Sequence, residues 1–102
     1  MIADEVQTWN STGHPSVFHH LYKTIKPDTI IAAKSNTAGV TPLSMVLAKE
    51  EFMKVMTPGT DGSTFAGTPV AATAGLATLK MIEKNNLHQK VTEIGSKVKK
   101  IL

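Results

Sequence analysis

The sequence contains no cysteine, no arginine and few aromatic residues. Without cysteine there is no disulfide framework and no thiolate metal site, which fits a reducing compartment. Without arginine the chain lacks the side chain that most often reads guanine or phosphate through two hydrogen bonds. No apolar run reaches the length of a membrane span, and residues 1–8 do not resemble a signal peptide. We therefore expect a cytoplasmic protein, or a mitochondrial-matrix protein in a eukaryote, that binds no membrane.

The positive charge that is present belongs mostly to one end of the chain. Eleven lysines face eight acidic residues, which gives a net charge of +3. Lys97, Lys99 and Lys100 lie in the last six residues, and removing these three leaves eight lysines against eight acids. Cations near the C-terminal end of a helix interact favourably with the helix dipole. The charge pattern therefore does not predict a nucleic-acid surface.

Three apolar segments in this 102-residue, single-domain-sized chain read as strands. They cover residues 1–6, 29–33 and 42–48. The second is apolar on both faces, which is typical of the centre of a parallel sheet covered by helices.

Helices are predicted between the first two strands and after the third. Residues 15–25 have apolar side chains at helical intervals behind Pro15. A short helix is predicted from Glu50, with an apolar face that we expect to point inward, formed by Phe52, Val55 and Met56.

The last third of the sequence predicts a long helix with one interruption. Thr68 and Pro69 form an N-cap and first-turn pair. Asn86 and Gln89 have capping-box spacing, which predicts that the helix restarts there. Beyond this point five apolar residues recur at spacings of 4, 3, 4 and 3, and their first interpretation is packing: Leu87, Val91, Ile94, Val98 and Ile101.

Two polar residues follow predicted strands in a way that suggests a site. Asp4 lies near the end of the first strand and Lys34 just past the second. Ligands of α/β sheets collect at the carboxyl ends of strands, so both side chains are expected in one crevice. The alternative interpretations are that Lys34 is a solvated strand end and that Asp4, with Glu5, is a turn or cap residue. Residues 59–68 are either a surface loop or a phosphate cradle, and His19 and His20, as helix neighbours, point in different directions and predict no metal site.

The order of three stretches resembles the pyridoxal phosphate-dependent class III aminotransferases along nearly the whole chain. The stretches are "IADEVQT", "KPDTIIAAKS…GVTPLSMVLA" and "PGTDGSTFAGTPVAATAGLATLKMIEKNNL". The "PG…GSTF" phrasing is most similar to the ornithine and acetylornithine branch, and "AAKS…TPLS" also resembles the 4-aminobutyrate branch. The resemblance implies an α/β fold, part of the aspartate aminotransferase-like large domain: three short strands, flanking helices and a long C-terminal helix. Residues 1–68 would belong to the cofactor-binding domain, and residues 69–102 would lead toward a small C-terminal domain.

The resemblance also implies roles for particular residues. Lys34 matches the catalytic lysine that forms a Schiff base with pyridoxal phosphate and carries the proton during transamination. Asp4 matches the catalytic carboxylate that keeps the pyridine nitrogen protonated. Val6 would pack on the ring face, and Gln7 would hydrogen-bond the ring's phenolic oxygen.

A homodimer is implied by the loop that precedes the long helix. Thr64, with Ser63 beside it, matches the residue that reaches the cofactor phosphate of the neighbouring subunit. Hydroxyl and backbone N–H groups suffice to bind a phosphate dianion without arginine.

Several positions depart from the family pattern. Trp9 and Asn10 stand where the family has a glycine-rich, arginine-containing segment. Thr37 and Ala38 stand in a segment that is otherwise glycine-rich, and Asp61 replaces a common histidine. Bulkier residues restrict a backbone that needs unusual torsions.

The leading hypothesis is a segment of a transaminase that moves an amino group from an amine or ω-amino acid, such as an ornithine-like donor, to a 2-oxo acid. The first alternative is a catalytically inactive, truncated homologue that acts as a structural or interaction subunit. The second is a small phosphate-binding module built on residues 59–68. The chain covers only the later part of the large domain, so alone it is expected to be marginally stable or to self-associate.

Overall fold

A computed structural model describes residues 1–11 and 26–102. The predicted helix at 15–25, with His19 and His20, lies outside the described residues. The elements in chain order are β1 (Ile2–Asp4), β2 (Thr29–Ala32), a 3₁₀ helix (Ser35–Thr37), β3 (Met45–Ala48), α1 (Glu50–Met53), α2 (Pro69–Lys84) and α3 (Leu87–Ile101). Each predicted strand is therefore present, although each is shorter than its apolar segment.

The described strands form one sheet in the order β1-β2-β3. β1 is parallel to β2, with Asp4 opposite Ile31. β3 is antiparallel to β2, with Ala32 opposite Met45. The prediction of a parallel sheet is thus confirmed for the first pair and wrong for the second. Parallel strands need a long crossover that usually contains an α-helix, whereas residues 33–44 hold only a 3₁₀ helix and return the chain as a neighbouring antiparallel strand.

The small core lies where α2 packs against the 3₁₀ helix that follows β2. Ala32 and Ala71 are buried, and α2 approaches so closely that Gly75 is buried as well. A Cβ atom on Gly75 would lie 3.0 Å from Cδ2 of Leu43. Thr68 caps α2 as predicted, since its Oγ1 accepts a hydrogen bond from the N–H of Ala71 at 3.3 Å.

The predicted inward face of α1 is wrong. Phe52, Val55 and Met56 are 46%, 74% and 48% exposed. The helix has only four residues, so Val55 and Met56 lie beyond its end and share no helical face with Phe52. A single turn cannot present the three side chains to one surface.

The predicted restart of the helix at residue 86 is confirmed, but the capping box is wrong. Asn86 has a φ of 49° and makes no side-chain capping hydrogen bond. Its carbonyl accepts from the N–H of Gln89 at 3.1 Å, while the Gln89 side chain donates to Oε1 of Glu93 at 2.9 Å. Asparagine tolerates this left-handed conformation, so Asn86 acts as the bend between α2 and α3.

Two glycines in the long helices provide a test of this packing. Gly95→Ala is expected to raise the free energy of unfolding by about 0.5–1 kcal/mol, because among the described residues an added Cβ would meet nothing within 4 Å beyond its chain neighbours and its own helix backbone. Gly75→Ala is expected to lower it by up to about 2 kcal/mol, because overpacking against Leu43 outweighs the helix propensity. Urea unfolding measures both. Equal stabilisation by the two substitutions would contradict the close approach of α2.

Asp28 joins the beginnings of β1 and β2 to the end of β3. Its carboxylate pairs with Nζ of Lys49 at 2.6 Å and with the N-terminal ammonium of Met1. The hydrogen bond from Lys49, and then that from the terminal ammonium, lower the pKa of Asp28 from 3.8 to about 2. The same pair raises the pKa of Lys49.

The pH dependence of stability follows from the sign of this shift. The folded-state pKa of Asp28 is the lower one, so the stability from these pairs is fully present above pH 3.8 and is lost as the pH falls through about 2. Asp28→Asn is therefore expected to unfold with a flatter pH dependence across that window. Urea midpoints of both proteins over the acid range measure the difference. Parallel curves would show that the ion pairs do not form.

Candidate active site

Two predicted catalytic residues lie at the same edge of the sheet. Asp4 is the last residue of β1, and Lys34 comes two residues after the end of β2. Because β1 and β2 are parallel, their carboxyl ends meet at this edge. The N–H of Glu5 donates to the carbonyl of Ile31 at 2.8 Å and extends the pairing past β1. Both side chains are therefore presented where the fold class places ligands.

Lys34 contacts a second predicted site residue. Its Nζ donates a hydrogen bond to Oε1 of Gln7, and the Lys34 side chain is exposed. Asp4 turns one carboxylate oxygen back to its own chain, accepting from the N–H of Val6 at 3.0 Å. No ion pair joins Asp4 to Lys34 within the described ranges, and the other carboxylate oxygen of Asp4 has no partner there.

The backbone at Lys34 is strained. Its φ is 52° and its ψ is −83°, outside the regions that residues with a Cβ ordinarily occupy. Such conformations cost on the order of 1–3 kcal/mol and persist where the surrounding structure holds them. Ala38, one of the family departures, is also left-handed, with a φ of 50°.

Buried hydrogen bonds hold the segment that follows the lysine. Ser35 Oγ donates to the carbonyl of Trp9, which ties the 3₁₀ helix to the chain beyond β1. Asn36 and Thr37 are almost fully buried. Nδ2 of Asn36 donates to the carbonyl of Leu43 at 3.0 Å, and Thr37 Oγ1 donates to the carbonyl of Thr41. The segment that follows Lys34 is therefore hydrogen-bonded both to the chain after β1 and to the chain before β3.

A cleft of about 550 Å³ opens beside Lys34. Ser44, which directly precedes β3, and Ser63, from the loop before α2, belong to its lining. Phe65 forms part of its apolar wall. Clefts of this size accommodate cofactor-sized molecules.

The structure does not bring all of the predicted residues into this cleft. Thr64 is exposed and is absent from the lining, although its neighbour Ser63 belongs to it. Asp4, Val6 and Gln7 lie outside the lining too, and of these three Gln7 hydrogen-bonds Lys34. Ser44 and Phe65 are lining residues that the role assignments from sequence missed. Ser44 stands in the "TPLS" stretch and Phe65 in "GSTF", so position within those stretches was the available signal.

The residues present fit pyridoxal phosphate. Lys34 stands at the sheet edge, Ser44 and Ser63 line the same cofactor-sized cleft, and at the neighbouring strand end Asp4 has one carboxylate oxygen without a partner among the described residues. In contrast, no group of three or more His, Cys, Asp or Glu side chains suited to a metal ion occurs in the described part of the chain. No helix there is long and apolar enough to cross a membrane.

This arrangement is a candidate ligand site centred on Lys34 at the carboxyl edge of an α/β sheet. The sequence profile of the family described as "Aminotransferase class-III" matches residues 1–102. The chain belongs to this family, and its fold is part of the α/β fold of pyridoxal phosphate-dependent aminotransferases.

Curated relatives of the chain include several ornithine aminotransferases. It is 37% identical over 97 residues to the ornithine aminotransferase of Saccharomyces cerevisiae, covering 94% of this chain and 23% of that protein. It is 41% identical over 95 residues to the ornithine aminotransferase of Oceanobacillus iheyensis, covering 92% and 23%. The chain spans about a quarter of the length of the curated relatives it matches.

Solved structures give the same likeness. An ornithine aminotransferase from Toxoplasma gondii, with PLP partially occupying its active site, matches with a TM-score of 0.86 at 33% identity, covering 94% of this chain and 22% of that one. The acetylornithine aminotransferase of Elizabethkingia anophelis matches with a TM-score of 0.86 at 38% identity, covering 93% and 23%.

The strain at Lys34 predicts an inverted order of stability between two substitutions. Lys34→Gly is expected to be more stable than Lys34→Ala by about 1 kcal/mol, because glycine adopts a positive φ without the steric cost of a Cβ. Urea unfolding compares the two. The matched control is Lys80 within α2, where Lys80→Ala is expected to be more stable than Lys80→Gly by about the same amount. Finding alanine favoured at position 34 as well would contradict the strained conformation.

Proposed function

We propose that this chain is the lysine-bearing segment of a pyridoxal phosphate-dependent transaminase. The enzyme would move an amino group from an amine or ω-amino acid, of which ornithine is the model, to a 2-oxo acid. The observation that carries the proposal is Lys34, held in a strained conformation at the sheet edge and facing a cofactor-sized cleft. The ornithine-directed names of its relatives support the donor class.

Each site residue has a physical role in this proposal. The Lys34 amine would hold the cofactor covalently and, when released, move the proton at the reacting carbon through its Nζ. Pyridoxal phosphate, when bound, supplies an electron sink for the carbanion. Asp4 would bind the protonated ring nitrogen through its carboxylate. Gln7, already hydrogen-bonded to Lys34, would bind the ring oxygen, and Val6 would cover the ring face.

The loop before α2 fits a homodimer. Ser63 lines the cleft beside Lys34 of its own chain, whereas Thr64 is exposed and does not belong to that lining. Thr64 would then bind the cofactor phosphate of the partner subunit. Residues 1–68 would form part of the cofactor-binding domain, with residues 69–102 leading to a small C-terminal domain. The enzyme would be cytoplasmic, or would lie in the mitochondrial matrix in a eukaryote; the name of the Oryza sativa relative says that that protein is mitochondrial.

The likeness along the whole chain supports this proposal over an inactive truncated homologue. The phosphate-module alternative makes a separate prediction, since its ligand would bind independently of Lys34.

Chemical trapping tests the proposal. The purified chain is mixed with pyridoxal phosphate, its visible absorption is recorded, and borohydride reduction followed by peptide mass spectrometry locates the label. The expected result is a label concentrated on Lys34 and strongly reduced by Asp4→Asn. Lys80→Ala, which removes an exposed lysine of α2, is the control and is expected to leave the label on Lys34 unchanged.

Two outcomes would contradict the proposal. One is a label distributed over the eleven lysines in proportion to their exposure. The other is retention of phosphate-ester binding in Lys34→Ala at the affinity of the unmodified chain, which would favour a phosphate-binding module on residues 59–68.

A further inference from the structure

Gln7 lies in the middle of a short turn that follows β1. The N–H of Trp9 donates to the carbonyl of Glu5 at 2.9 Å, which closes the turn around Gln7. The N–H of Glu5 donates to the carbonyl of Ile31 at 2.8 Å, so the beginning of the turn is joined to β2. The position of Gln7 therefore depends on what holds the other end of the turn, at Trp9.

Ser35 holds that other end. Its Oγ donates to the carbonyl of Trp9, and Ser35 directly follows Lys34 in the sequence. Two hydrogen bonds between the segments are thus adjacent, because Nζ of Lys34 donates to Oε1 of Gln7 beside the bond from Ser35. The bond at Ile31 joins main-chain groups, whereas the bond at Trp9 requires the side chain of Ser35. A single substitution can therefore remove the second bond and leave the first in place.

The next two residues of the 3₁₀ helix are bonded in a different direction. Asn36 and Thr37 are almost fully buried, and their side chains donate to the carbonyls of Leu43 and Thr41. These bonds fix the chain on its way to β3 rather than against the turn after β1. Ser35 is thus the member of the 3₁₀ helix whose side chain reaches that turn.

The carbonyl that Ser35 binds belongs to a residue whose side chain packs beside α2. Trp9 lines an apolar cavity of about 260 Å³ together with Gly75, Leu76 and Leu79 of that helix, and its indole nitrogen is buried. A glycine at position 9, as in the glycine-rich segment of the family, has no side chain for this contact and a freer backbone. The departure from the family pattern at Trp9 and the hydroxyl of Ser35 therefore belong to one arrangement.

We propose that Ser35 is a positioning residue, which through the carbonyl of Trp9 holds the Lys34 amine against Gln7. Its part in transamination rests on the proposed function, because Ser35 acts through the amine that would hold pyridoxal phosphate. A reacting group must lie within a narrow range of geometry, so a small displacement costs more in rate than the lost contact costs in stability. The hydroxyl of Ser35 is therefore expected to affect the reactivity of Lys34 more than the stability of the chain.

Nuclear Overhauser spectroscopy of the labelled chain without cofactor tests the positioning. In Ser35→Ala the cross-peaks between the side-chain amide of Gln7 and the ε-methylene of Lys34 are expected to lose most of their intensity, while the parallel-strand cross-peaks between β1 and β2 remain. Ser35→Thr keeps a hydroxyl at this position and is expected to keep both sets. The matched control is Ser96→Ala, which removes a hydrogen bond from Oγ of Ser96 to the carbonyl of Thr92, at 2.9 Å in α3, and is expected to change neither set.

Borohydride trapping with pyridoxal phosphate tests the effect on reactivity. The initial rate of labelling at Lys34, relative to that at Lys80, is expected to fall about threefold to tenfold in Ser35→Ala and to recover in Ser35→Thr. It is expected to be unchanged in Ser96→Ala. Trp9→Gly is expected to lower the relative rate as well, although it introduces a residue type that the family has in this segment. If the unmodified chain shows no preferential label on Lys34, the proposed function fails, and the cofactor-free spectra alone decide the positioning by Ser35.

Three results would overturn the proposal. The first is that the cross-peaks between Gln7 and Lys34 are absent from the unmodified chain, or are equally strong in Ser35→Ala. The second is loss of the β1–β2 cross-peaks in Ser35→Ala, which would make Ser35 a general stabilising residue rather than a positioning one. The third is a preferential label on Lys34 that forms at the same relative rate in the unmodified chain and in Ser35→Ala.

Discussion

The parallel pairing of β1 with β2 is the constraint on which the candidate site depends. Asp4 stands opposite Ile31, and the hydrogen bond from the N–H of Glu5 to the carbonyl of Ile31 carries the pairing one residue further. This register fixes where the chain leaves each strand. Gln7 and Lys34 consequently meet, although twenty-seven residues of sequence separate them. An antiparallel pair would have placed these two strand ends at opposite edges of the sheet.

The packing behind the lysine serves the same arrangement. Gly75 lets α2 approach the 3₁₀ helix, and the buried Asn36 and Thr37 hydrogen-bond the chain on its way to β3. The segment after Lys34 is therefore held by buried polar contacts as well as by apolar ones. Such contacts over-determine the backbone, which is how an unfavourable torsion at Lys34 persists. The stability of this region and the presentation of the amine have a common physical origin.

The sequence predicted features that depend on local chemistry or on a continuous pattern. Thr68 followed by Pro69 caps α2 because a hydroxyl and a fixed φ suit the first turn of any helix. The apolar strand before Lys34 was evident from its β-branched residues. Motifs likewise indicated Lys34, Asp4 and Gln7, of which the structure brings Lys34 and Gln7 into contact.

Features that depend on tertiary geometry could not be predicted in this way. The antiparallel direction of β3 follows from how residues 33–44 turn, which no periodicity records. The exposure of Phe52 follows from the shortness of α1. The left-handed backbone conformation of Asn86 is likewise not recorded in the spacing of residues 86 and 89. Ser44 and Phe65 line the same cleft because the chain before β3 and the loop before α2 meet there. Spacing identifies an element, whereas the neighbours of that element decide which of its residues are buried.

The contact between Lys34 and Gln7 is the most direct measure of the account, because it requires the parallel register and the strained lysine together. Nuclear Overhauser spectroscopy of the isotopically labelled chain observes it without any cofactor. Cross-peaks between the side-chain amide of Gln7 and the ε-methylene of Lys34, with parallel-strand cross-peaks between β1 and β2, are the predicted result. Well-resolved spectra in which β1 and β2 show antiparallel cross-peaks, or in which Lys34 contacts only solvent while the strands pair, would contradict the account.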